Sequence, residues 1–479
     1  MLSKDDYLKL DAFDQAAGLR SRDFSSCELM QAAIARAKEV NPILNAISSP
    51  NFEQAIAQAQ AFDGEQSNLA RSPLAGLPFL IKDLTPVKGL GHNLGSSLYA
   101  GNQASTNSNI VHKYLDAGLL IMGKTNTPEF GLTLTTEPTA NGATLNPWNI
   151  QYSTGGSSGG AAAAVAAGIL PAAHATDGGG SIRIPAANCG LVGLKPSRGL
   201  TSIENEMSAC WSGMSVGHVV SQTVRDSAAY LDLICLEKPH LFPKPNLNRT
   251  FASKLTTPLH ALKIGIQLEH PLGQSIDAEC RKAVETAAKH CQQLGHEVRE
   301  ISHPVDYKAA TAAMGKIINT HVYQTVKQKI EERGMSIEDS PLEASTKLMA
   351  SVGKTVSADA YVSAIDTLKI AEQAMSEFHQ EIDLVISPVL SLPPAKIGWL
   401  NMNSSDMREY GDRYKQYSGF TAIYNGTGQP SLSLPLHLSS AGLPVGVMFT
   451  GAWGADQLLL NLAKQLEEAY PWPRRAPMA

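Results

Sequence analysis

GGSSGGAAAAVAAGILPAAHATDGGGSIRIPAANCG (155–190) is the stretch from which the rest of the chain can be read. Two glycine-rich turns, GGSSGG (155–160) and DGGGS (177–181), bracket an alanine-rich run at 161–167 and an apolar run at 170–176. The alanine-rich run reads as a helix, and the apolar run that enters the second turn reads as a strand. Three glycines ahead of Ser181 let consecutive backbone N–H groups converge on one point, which is what a developing oxyanion needs. Ser181 is therefore the candidate nucleophile, with Ser157 in the first turn 24 positions upstream.

Outward from this stretch the alternation continues. Amphipathic helices are predicted at 26–39 and 52–62, a short buried strand at 77–81 ending in Lys82, and an apolar strand at 119–122. Strands and helices joined by glycine loops indicate an α/β sheet with its loops gathered at one edge, where the active sites of such folds lie. Over 239–260 the pattern lapses into a proline- and asparagine-rich loop. The run 262–267, a helix over 277–294 and further helical stretches to about 381 follow, and together read as a helical region attached to the sheet. Strand-like runs return at 384–387, 431–434 and 445–450, ahead of a closing helix over 456–469. Because the sheet resumes after a helical region at about 260–385, one composite domain over 1–479 is expected, although length alone suggests two or three units.

Composition narrows the function. The chain has 479 residues, a net charge of −5 and no block of Lys or Arg, so it lacks the basic footprint of a nucleic-acid binder. Its first residues, MLSKDDYLKLDAFDQ, carry acids where a signal peptide needs an apolar run, and no stretch approaches the ~18 apolar residues of a membrane span. A soluble cytoplasmic protein acting on a small molecule is expected, without nucleic-acid or membrane partners. The six cysteines form no C-x-x-C pair and read as small core residues. No cysteine, histidine or carboxylate cluster has metal-ligand spacing, so neither a metal nor an organic cofactor is expected.

Several local patterns compete for the chemistry. GLLIMGKT (118–125) satisfies the phosphate-loop expression, yet Leu119, Leu120, Ile121 and Met122 look like a buried strand and Thr127-Pro128 stands where a helix should begin. GGSSG (155–159) fits the G-x-S-x-G elbow of hydrolases, but the preceding NPWNIQYST (146–154) is a poor strand. Ser351 and Lys354 match S-x-x-K without the companion motifs of that class. The set that accounts for most of the chain is Lys82, GGSSGG and DGGGS, in that order, with Lys82, Ser157 and Ser181 spaced 75 and 24 positions apart. Lys82 follows the apolar PFLI, where desolvation favours a neutral amine able to accept a proton.

The segments PLAGLPFLIKDL, GKTNTPEFG, ATLNPWN, GGSSGGAAAAVAAG, DGGGSIRIPAANCGLVGLKPSRG, TVRDSA, NGTGQPSLSLP and GLPVGVMFTG together resemble the amidase signature family, most densely over 74–226. Within it the chain is most similar to the bacterial branch of general amidases that includes 6-aminohexanoate cyclic-dimer hydrolases. It is less similar to the amidase-like component of the tRNA-dependent amidotransferase, whose serine–leucine–aspartate–glutamine stretch is absent. The resemblance implies a central mixed, mostly parallel sheet covered by helices, and a Ser–Ser–Lys triad. Ser181 then corresponds to the acyl-forming nucleophile, Ser157 to the bridging serine after a cis peptide, and Lys82 to the base. The oxyanion hole maps onto the N–H groups of Gly178, Gly179 and Gly180. Asp177 and Arg183 match positions that support the nucleophile loop. Ser158 matches a position in the same hydrogen-bond network, with a helix N-cap as an equal alternative. Gln222 stands where this branch usually has arginine before T-V-R-D. The implied substrate is a small carboxamide or a linear or cyclic amide; the alternative is an amidotransferase-type component of a larger complex. A homodimer is compatible with the resemblance.

Overall fold

The apolar runs become the strands of three sheets in the computed structural model, which describes residues 2–201, 210–239, 242–247 and 250–478. β1 (Ile47–Pro50), β2 (Pro78–Lys82) and β3 (Leu120–Thr125) form the first, in the order β1-β3-β2. β4 (Leu145–Asn146) and β5 (Asn149–Ser153) pair as a small antiparallel hairpin, so the poorly strand-like NPWNIQYST does contain a strand. The large sheet takes β6 (Ala172–Asp177), β7 (Val192–Lys195), β8 (Val216–Ser221), β9 (Lys263–Ile266), β10 (Glu297–Glu300), β11 (Leu384–Pro388), β12 (Ser431–Leu438) and β13 (Pro444–Gly451). Its order is β10-β9-β11-β13-β12-β7-β8-β6.

This sheet is mixed and helix-covered, as expected of an α/β fold, but it is not mostly parallel. Among the described residues of this large sheet only β10–β9 and β9–β11 pair in parallel; its other neighbours, from β11–β13 to β8–β6, are antiparallel. The reason lies in β8. The strand–helix–strand order of β6, the helix Arg183–Cys189 and β7 suggests a parallel pair, and both strands do run the same way, but β8 inserts between them and is antiparallel to each. Likewise the short turn between β12 and β13 makes a hairpin, whose strands are necessarily antiparallel.

Several helices follow from local chemistry. The helix Ser26–Leu44 begins in a reciprocal capping box between Ser25 and Glu28 and buries the stripe Leu29, Ala33, Ala37, Val40 and Leu44. It runs past the predicted end at 39 because that stripe continues. The alanine-rich helix Gly159–Ala166 is buried on every side. Small residues are needed there: a Cβ on Gly160 would lie 2.4 Å from the backbone nitrogen of Asn126.

The phosphate-loop expression falls in β3, whose six residues are all buried, and Lys124 forms a buried ion pair with Asp83 at 2.9 Å. It is a strand, not an open anion cradle. Ser351 and Lys354 lie in the surface helix Ala344–Thr355. Of the cysteines, Cys189, Cys235, Cys280 and Cys291 are buried thiols and Cys27 is half-buried; the Cys210 side chain falls outside the described residues. Among the described residues no helix is long and apolar enough to cross a membrane. The predicted loop at 239–260, partly outside the described residues, contains the short 3-10 turn Ala252–Lys254.

The helical region, led by the helices Tyr307–Glu332 and Ala358–Phe378, is tied to the glycine-turn half by carboxylates. Glu129 accepts from the Ser96 hydroxyl at 2.6 Å and from the Glu343 backbone at 2.9 Å, while Glu343 accepts from the Thr139 backbone at 2.8 Å. Burial, with the neighbouring Glu129 and Glu137 charges, pushes Glu343 up to about 7 from an ordinary 4.5. The folded state thus binds the proton more tightly than the unfolded chain, and stability falls as pH rises from about 4.5 through about 7. Glu343→Gln should flatten that decline and raise Tm at pH 8, on the order of 1–2 °C. Melting curves between pH 5 and pH 8 check it, and an unaltered slope would show that Glu343 is not the titrating group.

Candidate active site

An apolar strand carries a lysine into the interior. All five residues of β2, PFLIK, are buried, and Lys82 is 0% exposed. Its Nζ lies 2.7 Å from Ser157 Oγ and 2.9 Å from Thr176 Oγ1. The Lys82 backbone N–H donates to His174 Nδ1 at 3.3 Å, which fixes the end of β2 against β6. Three segments far apart in sequence therefore meet at one ammonium or amine nitrogen.

The Ser157 loop is held from several sides. The Gly156–Ser157 peptide is cis. Thr127, from GKTNTPEFG, donates its hydroxyl to the Ser157 carbonyl at 3.0 Å, and Thr136 donates to the Gly155 carbonyl at 2.9 Å while accepting from the Gly159 N–H at 3.1 Å. Ser158 occupies the N-cap position of the alanine-rich helix, but its side chain makes no cap bond. It bonds instead to the backbone of Thr176, donating to the carbonyl at 3.2 Å and accepting from the N–H at 3.3 Å. Ser158 thereby locks the first glycine turn to the strand that leads into the second.

Asp177 organises that second turn. Its carboxylate accepts the N–H groups of Gly180 at 2.7 Å, Ile182 at 3.1 Å and Arg183 at 3.4 Å, so it grips the backbone on both sides of Ser181. The Arg183 guanidinium binds the same carboxylate through Nε and Nη2, both at 2.9 Å, with both side chains fully buried. Burial alone would raise the Asp177 pKa, but the Arg183 charge and hydrogen bonds hold it far below the usual carboxylate range. Asn425 completes the support: its amide donates to the Asp177 carboxylate at 2.9 Å and its carbonyl accepts from Arg183 at 2.6 Å.

One of the expected oxyanion donors already has a partner. Of the N–H groups of Gly178, Gly179 and Gly180 expected to form the oxyanion cradle, that of Gly180 is given to Asp177 in this structure. A hydrogen already given to a charged acceptor at 2.7 Å is a poor donor to a second anion.

Ser157, Thr176, Gly178 and Ser181 open on one cavity of about 180 Å³. Ser157 is 2% exposed and Ser181 is half-buried, so the deeper serine lies next to the lysine and the shallower one faces the space. Phe130, Leu132 and Trp211 supply apolar wall, and His321 and Val322 reach in from the helical region. Burial lowers the His321 pKa, which keeps its imidazole neutral at neutral pH. Among the described residues that line the cavity, none is Asp, Glu, Lys or Arg.

Some of these residues escaped the sequence reading. Thr176 and Asn425 lie inside quoted segments, AAHATDGGGS and NGTGQPSLSLP, and a polar side chain at the end of an apolar strand was the available signal for Thr176. Trp211 and His321 carry no local signature. Gln222, the departure from the branch pattern, is buried; its side-chain amide donates to the Val165 carbonyl at 3.1 Å and its backbone to the Pro171 carbonyl at 3.0 Å. It secures the C-terminal end of the alanine-rich helix.

Comparison with known proteins places these features in context. A model of the amidase family matches residues 28–460. The 6-aminohexanoate-cyclic-dimer hydrolase of Paenarthrobacter ureafaciens is 35% identical, over 98% of this chain and 96% of that protein. A solved structure of 6-aminohexanoate cyclic dimer hydrolase superposes with a TM-score of 0.90 at 34% identity, covering 98% of this chain and 99% of the other. A glutamyl-tRNA(Gln) amidotransferase chain of Thermotoga maritima is more distant, with a TM-score of 0.79 and 25% identity over 99% of this chain and 98% of that one.

Proposed function

This chain belongs to the amidase family and is a hydrolase of amide carbon–nitrogen bonds; from that premise we propose that it acts through Ser181 as nucleophile, Ser157 as proton relay and Lys82 as base. The observation that carries the reading is the 2.7 Å contact between a fully buried Lys82 Nζ and Ser157 Oγ, on the floor of a cavity that Ser181 also faces.

Neutral Lys82 takes the Ser157 proton as Ser157 takes that of Ser181, and Ser181 Oγ bonds to the amide carbon. The oxyanion is received by backbone N–H groups of the nucleophile loop; with Gly180 engaged by Asp177, Gly178 and Gly179 are the donors we assign. As the C–N bond breaks, the proton returns through Ser157 to the leaving amine. Water then attacks the acyl-serine, giving its proton back along the same path, and the carboxylate leaves. Thr176 holds Lys82 Nζ alongside Ser157. Asp177, Arg183 and Ser158 shape the turn and do not touch the reacting atoms. Ser–Lys variants are an accepted form of serine-hydrolase chemistry.

The substrate class is a small, uncharged carboxamide or a linear or cyclic amide, which the lining supports. A 6-aminohexanoate oligomer is one member of that class. The net charge of −5 and the absence of a basic block favour a small molecule over a nucleic acid, in the cytoplasm. We also read the whole chain as one working unit, because β11, after the helical region, pairs with both β9 and β13. The purified chain should hydrolyse members of a panel of neutral amides unaided, and a fluorophosphonate should modify it once, at Ser181. Peptide mapping that places the adduct on Ser157 would return the assignment to the G-x-S-x-G elbow, and activity only in the presence of a second protein would favour the amidotransferase alternative.

A further inference from the structure

The Trp211 indole lies directly on the first glycine of the nucleophile loop: a Cβ built on Gly178 would stand 2.6 Å from the ring. The backbone that delivers it is unusual. Trp211 has φ 55 and ψ 46, Ser212 has φ 55 and ψ 37, and Gly213 follows at φ 85. Side-chain-bearing residues hold the left-handed region in succession only where their surroundings over-determine it.

Two sets of contacts do so. On the sheet side, Arg198 Nε donates to the Gly213 carbonyl and the Asn425 amide donates to the Met214 carbonyl, both at 3.0 Å. On the helical side, the Ser212 hydroxyl lies 2.5 Å from Tyr361 OH and 3.5 Å from His321 Nε2, and the last two are 3.1 Å apart. Tyr361 belongs to the helix Ala358–Phe378 and His321 to the helix Tyr307–Glu332. Tyr361 is not one of the residues that line the cavity, so its hydroxyl reaches the substrate space only through its partners.

Resting on the amidase reading above, we propose that Trp211 is the specificity wall of the cavity, selecting uncharged amides with an extended apolar chain, and that Tyr361 is a positioning residue that acts through it. The indole presents a broad apolar face beside the reacting centre, with Phe130, Leu132 and Val322 on the other walls. Each methylene buried against such a surface contributes roughly a fourfold preference. A chain of several methylenes is therefore strongly favoured over a methyl group, and only while the ring stays on Gly178. Tyr361 and Ser212 keep it there.

The test is a double-mutant cycle on the full-length enzyme. The readout is kcat/KM for N-butylpentanamide divided by that for N-methylacetamide, which places the apolar chain on either side of the amide. Trp211→Ala should lower this ratio on the order of 50-fold, and Tyr361→Phe by about fivefold, in both cases through KM. The double variant should match Trp211→Ala alone, because residues acting in series are not additive. Trp211→Phe, which keeps a flat ring, should restore most of the ratio and guards against a misfolded alanine variant. Additive effects, an unchanged ratio, or an equal loss on both substrates through kcat would overturn the proposal. Fluorophosphonate mapping separates the two readings: no adduct on wild-type Ser181 sinks the nucleophile assignment, whereas a labelled Ser181 with an unaltered ratio sinks only the specificity wall.

Discussion

Ser181→Ala should reduce kcat on a neutral amide to background, a loss on the order of 10⁶-fold if the triad acts as a unit, with Tm moved by no more than about 1 °C. The size of the effect follows from the chemistry, since without Oγ there is no acyl acceptor and the remaining hole and cavity can only bind. The small effect on stability follows from the geometry. Asp177 holds the turn through the backbone N–H groups of Gly180, Ile182 and Arg183, none of which the substitution touches, and Ser181 is only half-buried. Steady-state kinetics, a melting curve and fluorophosphonate incorporation on the same preparation decide the matter. A variant retaining roughly a hundredth of wild-type activity would mean that Ser181 is not the acyl acceptor. A variant that melts early would mean that the loss is structural.

The parts of this arrangement legible in the sequence are those encoded locally. Glycine runs mark turns, an apolar run marks a strand, and the order of Lys82, Ser157 and Ser181 marks the family. The closing helix Asp456–Ala469 has the predicted bounds because its apolar spacing is regular. What the sequence could not display is strand pairing. Nothing in GHVVS announces that β8 inserts between β6 and β7, because register and neighbour depend on non-local packing. The same holds at the site. That three glycines precede a serine is local information, whereas the claim of Asp177 on the Gly180 N–H depends on where a buried Arg183 and Asn425 pin the carboxylate. Trp211 and His321 enter the cavity from segments 30 and 140 residues beyond Ser181, so only the folded chain relates them to it.

Lys82→Arg should cost on the order of 10²–10⁴ in kcat, because a guanidinium keeps its proton at any workable pH and cannot receive that of Ser157. In the proposed mechanism only a neutral amine can receive that proton. A second buried lysine in the core serves as the control. Lys195, pushed down to about 7 by burial and by the neighbouring Arg183 charge, sits electrostatically beside Asp177. A buried lysine with a lowered pKa makes the fold more stable as pH rises between about 7 and its ordinary 10.5, so Lys195 contributes to the dependence of Tm on pH. Lys195 Nζ donates to the Pro196 carbonyl at 2.9 Å and is not one of the cavity-lining residues, and Lys195→Met should accordingly flatten the melting profile while leaving kcat in place. An arginine variant at position 82 that keeps the wild-type kcat would remove Lys82 from the mechanism.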